Sequence, residues 1–389
     1  MNTPQLKFLL TLLTLGLVAP QLLAQTFNSG STGSYGPINV TTTDVTLDVP
    51  PDGVFHCTTI NVSANRTLRF KANALNTPVY LLATGEVTVA GRIDLDGERA
   101  NSVSGGLPGP GGFAGGNPAS VGSPPGDGRG PGAGRAGTRT TTAEGAGGGA
   151  FSTRVTSGNS LRAGNPYGSA LLLPLIGGSG GGGTEGTPGV GGGGGGGALL
   201  IASNLRITVT GTLQAEGASY LSGAFNSGSG GAIRLVAPVV SGNGAIYVRG
   251  GEGNVTGGAG RIRIDTLDRS QLSFNLVPEA VASLGSMMVV FPTPMPRLDV
   301  IEAAGTTITD GSGPVLVTLP FGAPAAQTIK IRARDFGQTV PIRINLTPDH
   351  GASKVYDAEI PNGTSNPAEV TVNVEFPLNA QTAVEVWTR

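Results

Sequence analysis

Apolar and polar positions alternate with a period of two through three stretches that share one layout. Each has an apolar strand, a corner, and a second strand closed by glycine. The first runs Val79–Ala83, then Val87–Gly91 and Arg92–Gly97; the second runs Ala198–Ala202, then Ile207–Gly211 and Thr212–Gly217. The third runs Ala232–Ala237, then Gly244–Gly250. The inner and closing glycines are six residues apart in every copy (91 to 97, 211 to 217, 244 to 250), while the corner before them varies in length. A strand must keep its period or swap its faces, whereas a corner tolerates an added residue. The pattern therefore predicts an all-β parallel β-helix, a solenoid of stacked coils. Ile93/Leu95, Leu213/Ala215 and Ile246/Val248 should face the core; Asp94/Asp96, Gln214/Glu216 and Tyr247/Arg249 should face solvent. A degenerate fourth copy starts at Gly260–Asp265.

Upstream, alternation predicts strands at 38–42, 45–49, 58–62 and 67–71, with a turn at Pro50-Pro51-Asp52-Gly53. Residues 101–197 form a long glycine-rich insertion, with shorter excursions at 222–231 and 250–260. Two arrangements suit such a composition: a disordered excursion, or polyproline-II segments packed closely through their glycines. The run Gly106–Gly115 has collagen spacing but is too short for a triple helix. Residues 291–297 read as a Pro-rich linker ending the 25–290 β-helix domain. Strand-like runs then follow at 298–301, 315–319, 327–333, 340–346, 354–360, 369–376 and 383–387, and predict a C-terminal β-sandwich over 298–389 with Trp387 in its core.

The stretch Pro51–Phe55, Ile60–Val62, Thr67–Phe70 and Asn76–Ala83, continuing through Gly85–Asp94, resembles exported bacterial glycine-rich proteins with a pectin-lyase-like right-handed parallel β-helix. The resemblance spans about residues 38–265 and names no reaction. The wider fold includes polysaccharide lyases and hydrolases as well as adhesins, so it does not choose between enzyme and surface protein.

Residues 1–24 have the layout of a secretory signal: Lys7, the apolar run Phe8–Val18, Pro20, then Ala24 before Gln25. Export places the mature chain outside the cell, at its surface or in the periplasm, and no stretch of the mature sequence is a transmembrane segment. The 389-residue chain carries a net charge of −1, which excludes the basic field that nucleic acid demands. Cys57 is the sole cysteine and reads as a buried structural residue. Sequons stand at Asn39, Asn61, Asn65, Asn254, Asn345 and Asn362.

Candidate chemistry is sparse. His56 and His350, the two histidines, lie near no nucleophile or ligand pattern. The catalytic candidates are Asp94, Asp96 and Glu216: on adjacent coils Asp96 and Glu216 would stand about 4.8 Å apart at the backbone. Such a pair suits a carbohydrate-active enzyme or Ca2+, and Arg92 or Arg234 would supply a lyase base. Arg249 in the next equivalent position suggests instead a solvated charge ladder. The glycine-rich run Gly250–Asn254 and the threonines Thr88, Thr208, Thr210 and Thr212 carry no stronger signal. The sequence is thus expected to encode an exported, non-catalytic structural or adhesive protein. The alternative is a polysaccharide lyase, a glycoside hydrolase or a glycan-binding protein, and polysaccharide or cell-surface components are the expected partners.

Overall fold

The alternating stretches are β-strands in the computed structural model, which describes residues 27–138, 145–155, 161–186, 189–219, 226–253 and 255–389. The expected signal segment 1–24 and the sequon at Asn254 lie outside the described residues. In chain order the strands are β1 (Gly36–Val40), β2 (Val45–Asp48), β3 (Val54–Val62), β4 (Thr67–Lys71), β5 (Val79–Ala83), β6 (Val87–Val89) and β7 (Arg92–Asp94). After the glycine-rich block come β8 (Ala198–Ser203), β9 (Arg206–Val209), β10 (Thr212–Gln214), β11 (Ala232–Ser241), β12 (Ala245–Tyr247), β13 (Arg261–Asp268), β14 (Asn275–Val277) and β15 (Ala282–Gly285). The C-terminal strands are β16 (Arg297–Ala303), β17 (Thr306–Thr307), β18 (Ala326–Arg334), β19 (Thr339–Pro348), β20 (Lys354–Pro361), β21 (Ala368–Glu375) and β22 (Thr382–Thr388).

The pairing corrects the expected solenoid. In the first sheet the hydrogen-bonded path β11–β8–β5–β3–β6–β9 returns to β11, so six parallel strands close into a barrel-like ring; β1, β13 and β15 attach outside it. The cause lies in β3, which starts earlier than the expected 58–62 strand, and in β11, which stays extended past Ala237 where a corner was expected. Residues Val54–Cys57 of β3 pair with β5 and Ile60–Val62 pair with β6. Likewise the first half of β11 pairs with β8 and Val239–Ser241 pair with β9. A separate six-stranded parallel sheet, β14–β12–β10–β7–β4–β2, carries the short strands that end in glycine.

Between these sheets lies the main core, and the inward positions read from the alternation fill it: Ile93, Leu95, Leu213, Ala215, Ile246 and Val248 are all buried, as is Cys57. A second apolar cluster covers the opposite face of the first sheet, where Leu82, Leu200 and Val236 meet Phe151, Leu172 and Val290.

Of the two arrangements considered for the glycine-rich block, the packed one is found. The amides of Gly191, Gly194 and Gly197 donate to Asn101, Glu98 and Leu95; those of Gly192, Gly195 and Ala198 donate to Gly116, Phe113 and Pro110. The amides of Gly193 and Gly196 donate to Asn226 and Ser229. A partner that recurs every third residue is the mark of an extended threefold backbone, three residues per turn with no bonds inside the segment. The carbonyls serve further neighbours: those of Gly192 and Gly195 accept from Gly106 and Gly109, and those of Gly193 and Gly196 accept from Gly181 and Gly178. Glycine is required because the backbones touch. A Cβ on Gly192 would fall on the Gly181 carbonyl oxygen, and one on Gly193 on that of Ala218.

The C-terminal strands form a four-stranded antiparallel sheet, β17–β16–β18–β21, and a three-stranded one, β20–β19–β22. Ile329, Ile331, Ile342, Ile344 and Val374 lie in a core shared by the two, so the expected sandwich is met in part. Two details differ. The run 315–319 is not a strand: among the described residues none of its amides meets a backbone carbonyl. Trp387 is half-buried and sits outside that core, because Val384 and Val386 take the inward positions of β22.

Candidate functional site

The outward row of the second sheet brings the predicted acidic residues together. Cα register places Arg69 beside Asp94, Asp94 beside Gln214, and Gln214 beside Tyr247. The ladder continues past the strand ends, with the Gly97 amide donating to the Glu216 carbonyl and the Gly217 amide to that of Arg249. Asp96, Glu216 and Arg249 therefore stand in sequence across the sheet, in the order read from the spacing.

Each carboxylate in this row already has partners. Asp94 Oδ2 lies 3.3 Å from Arg69 Nε. Asp96 accepts from Gln214 Nε2 and from the Glu216 amide, both at 2.6 Å. Glu216 Oε1 receives Arg249 Nε at 2.5 Å, and the Arg249 guanidinium also lies over the Tyr247 ring, 5.2 Å from its centre. Asp96 nevertheless titrates unusually. Burial pushes its pKa up to about 7 against the pull of the Glu216 amide, with Asp94 and Glu216 raising it further.

Asp94 and Asp96 open onto a cleft of about 1000 Å³. Its other walls include Phe70 of β4, Pro108, Pro110 and Phe113 of the glycine-rich block, and Glu385 of β22. Burial raises the pKa of Glu385, while the Arg129 charge and the Gly130 amide oppose the rise. Its Oε2 is closed off from solvent and has no hydrogen-bond partner among the described residues. Sequence reasoning did not single out Glu385. The available signal was its outward position between Val384 and Val386, which says nothing about what lies opposite.

The remaining candidates do not join this site. Arg92 is exposed at the start of β7. Arg234 is fully buried in the first sheet against Asp265, away from the acidic row. His56 accepts from the Thr32 amide through Nδ1 at 3.2 Å, and His350 Nδ1 lies 3.1 Å from the Pro124 carbonyl. Among the described residues no three His, Cys, Asp or Glu side chains gather as a metal site. No helix among them is long and apolar enough to cross a membrane. No family model matches the chain, and neither does any curated protein or solved structure.

Proposed function

We propose that the protein is an exported, non-catalytic structural or adhesive component of the cell surface or extracellular matrix. The observation that carries this reading is the saturation of the acidic row: Asp94, Asp96 and Glu216 are held by Arg69, Gln214 and Arg249. With these contacts in place, attack on a sugar or collection of Ca2+ by the row would first have to break an ion pair or hydrogen bond already made. The glycine-cored packing suits a rigid scaffold, since its backbones bond directly to one another.

The test is a screen of the purified chain against acidic and neutral polysaccharides, with and without Ca2+, recording binding and product release. Binding without products, unchanged in the triple variant Asp94→Asn, Asp96→Asn, Glu216→Gln, is the expected outcome. Release of reducing or unsaturated ends that Asp96→Asn abolishes overturns it.

One observation favours a second reading, a carbohydrate-active cleft. Asp96 and Glu385 line the same cavity, and both hold their protons more tightly than usual. A carboxyl that remains protonated near neutrality is suited to general acid work. Loss of product release in both Asp96→Asn and Glu385→Gln would establish that reading.

A further inference from the structure

The segment between β17 and β18 has the sequence of a strand and the surroundings of a loop. Pro314-Val315-Leu316-Val317-Thr318-Leu319-Pro320 is apolar and rich in β-branched residues. No amide in it meets a backbone carbonyl among the described residues. Leu316 is 80% exposed, and Phe321 just beyond it is fully exposed. In the four-stranded sheet part of an edge is left without a ladder partner. β17 covers only Glu302 and Ala303 of β16, leaving Arg297–Val300 hydrogen-bonded to β18 on one side and, among the described residues, without a ladder partner on the other, although β22 comes near β16. An uncovered edge is a template for another strand.

We propose that residues 314–320 pair as an added strand with the open β16 edge of a second copy of this chain. Donor and acceptor both belong to this chain, and among the described residues neither the amides of 314–320 nor the outer edge of Arg297–Val300 has a ladder partner, so two copies can satisfy each other reciprocally. Pro314 and Pro320 bound the donor and allow it to serve as an edge strand while discouraging further growth. Leu316 loses its exposure to water in that arrangement, on the face of the added strand opposite to Val315 and Val317. Self-association deepens the structural reading above, and the two fail separately: a monomer that binds polysaccharide without turnover removes this inference alone.

The experiment measures the molar mass of the purified full chain by light scattering across a concentration series, for wild type, Val317→Pro and Leu316→Lys. Val317 donates no backbone bond in the monomer, so proline there removes a ladder bond that exists only in the assembled state. The expected result is a concentration-dependent dimer that both variants lose, with melting temperatures of the monomeric forms unchanged. Should Val317→Pro itself lower the melting temperature, Leu316→Lys, an exposed change, decides alone. A monomer at every concentration overturns the proposal, and so does a dimer that survives both substitutions.

Discussion

Arg234 and Asp265 form an ion pair with both side chains fully buried, Nη2 to Oδ2 at 3.0 Å. The same carboxylate accepts Arg263 Nη2 at 2.6 Å and the Met287 amide at 3.0 Å through Oδ1, while Arg234 donates to the Met287 carbonyl. One aspartate thus compensates two guanidinium groups and fastens the segment after β15 across the first sheet. Burial also holds the Arg234 pKa below its ordinary value.

Removing Asp265 leaves two cations facing each other away from water. Breaking a buried pair from one side costs about 3–5 kcal/mol. Asp265→Ala should lose that much stability in urea unfolding, with amide exchange rising first around Met287. A loss below about 1 kcal/mol would mean that solvent reaches this cluster.

The glycine bundle makes a contrast between two alanine substitutions. In Gly193→Ala the new Cβ meets the Ala218 carbonyl oxygen, part of the backbone, which has little room to withdraw. Overpacking of this kind costs about 1–3 kcal/mol and sometimes more. In Gly313→Ala the Cβ meets nothing within 4 Å, and the change should stay within about 0.5 kcal/mol. Thermal melts of the two variants check the difference.

Arg249 tests how much the acidic row contributes to stability. Its guanidinium is held by Glu216 and Glu252 but is 45% exposed. Exposed ion pairs contribute about 0–1 kcal/mol, so Arg249→Ala should shift the urea midpoint only slightly. Added salt should shrink even that difference.

Local alternation made the strands and their faces legible. Ile93, Leu213 and Ile246 were assigned inward by period alone and lie in neighbouring strands of one sheet. The outward order Asp96, Glu216, Arg249 was legible for the same reason, because a fixed strand length keeps equivalent residues in step. Closure of the first sheet was not. It depends on Thr58 and Thr59 of β3, and on Pro238 and Val239 of β11, staying extended, and a period of two reads the same whether a strand bends or stops. The glycine-rich block is also opaque locally, since the partners of Gly192, such as Gly116 and Gly106, are far along the chain and chosen by packing. Glu385 came to the cleft through long-range docking, in which Asp127 accepts from the Ser353 amide at 2.9 Å.

The pKa of Asp96 gives a pH dependence with a definite sign. The folded state holds this proton up to about pH 7, whereas the ordinary value is 3.8. Below pH 3.8 both states are protonated and no penalty exists. As pH rises from there to about 7 the unfolded chain releases its proton and the folded chain does not, so stability falls across that window and then levels off. Each tenfold difference in proton affinity is worth ~1.4 kcal/mol, which sets a ceiling of about 4 kcal/mol for this residue. Asp357 acts in the opposite direction: its hydrogen bond with Arg343 lowers its pKa to about 2. The stability Asp357 adds is present above about pH 4 and is lost as pH falls toward 2. Urea midpoints of wild type and Asp96→Asn, measured across this range, separate the two groups. The variant should lack the decline between pH 4 and 7 yet keep the acid limb, because Asp357 is untouched. If the two proteins run parallel through neutrality, Asp96 is ionised in the folded state. The cleft would then have no protonated acid at that position, and the carbohydrate-active reading would lose half of its support.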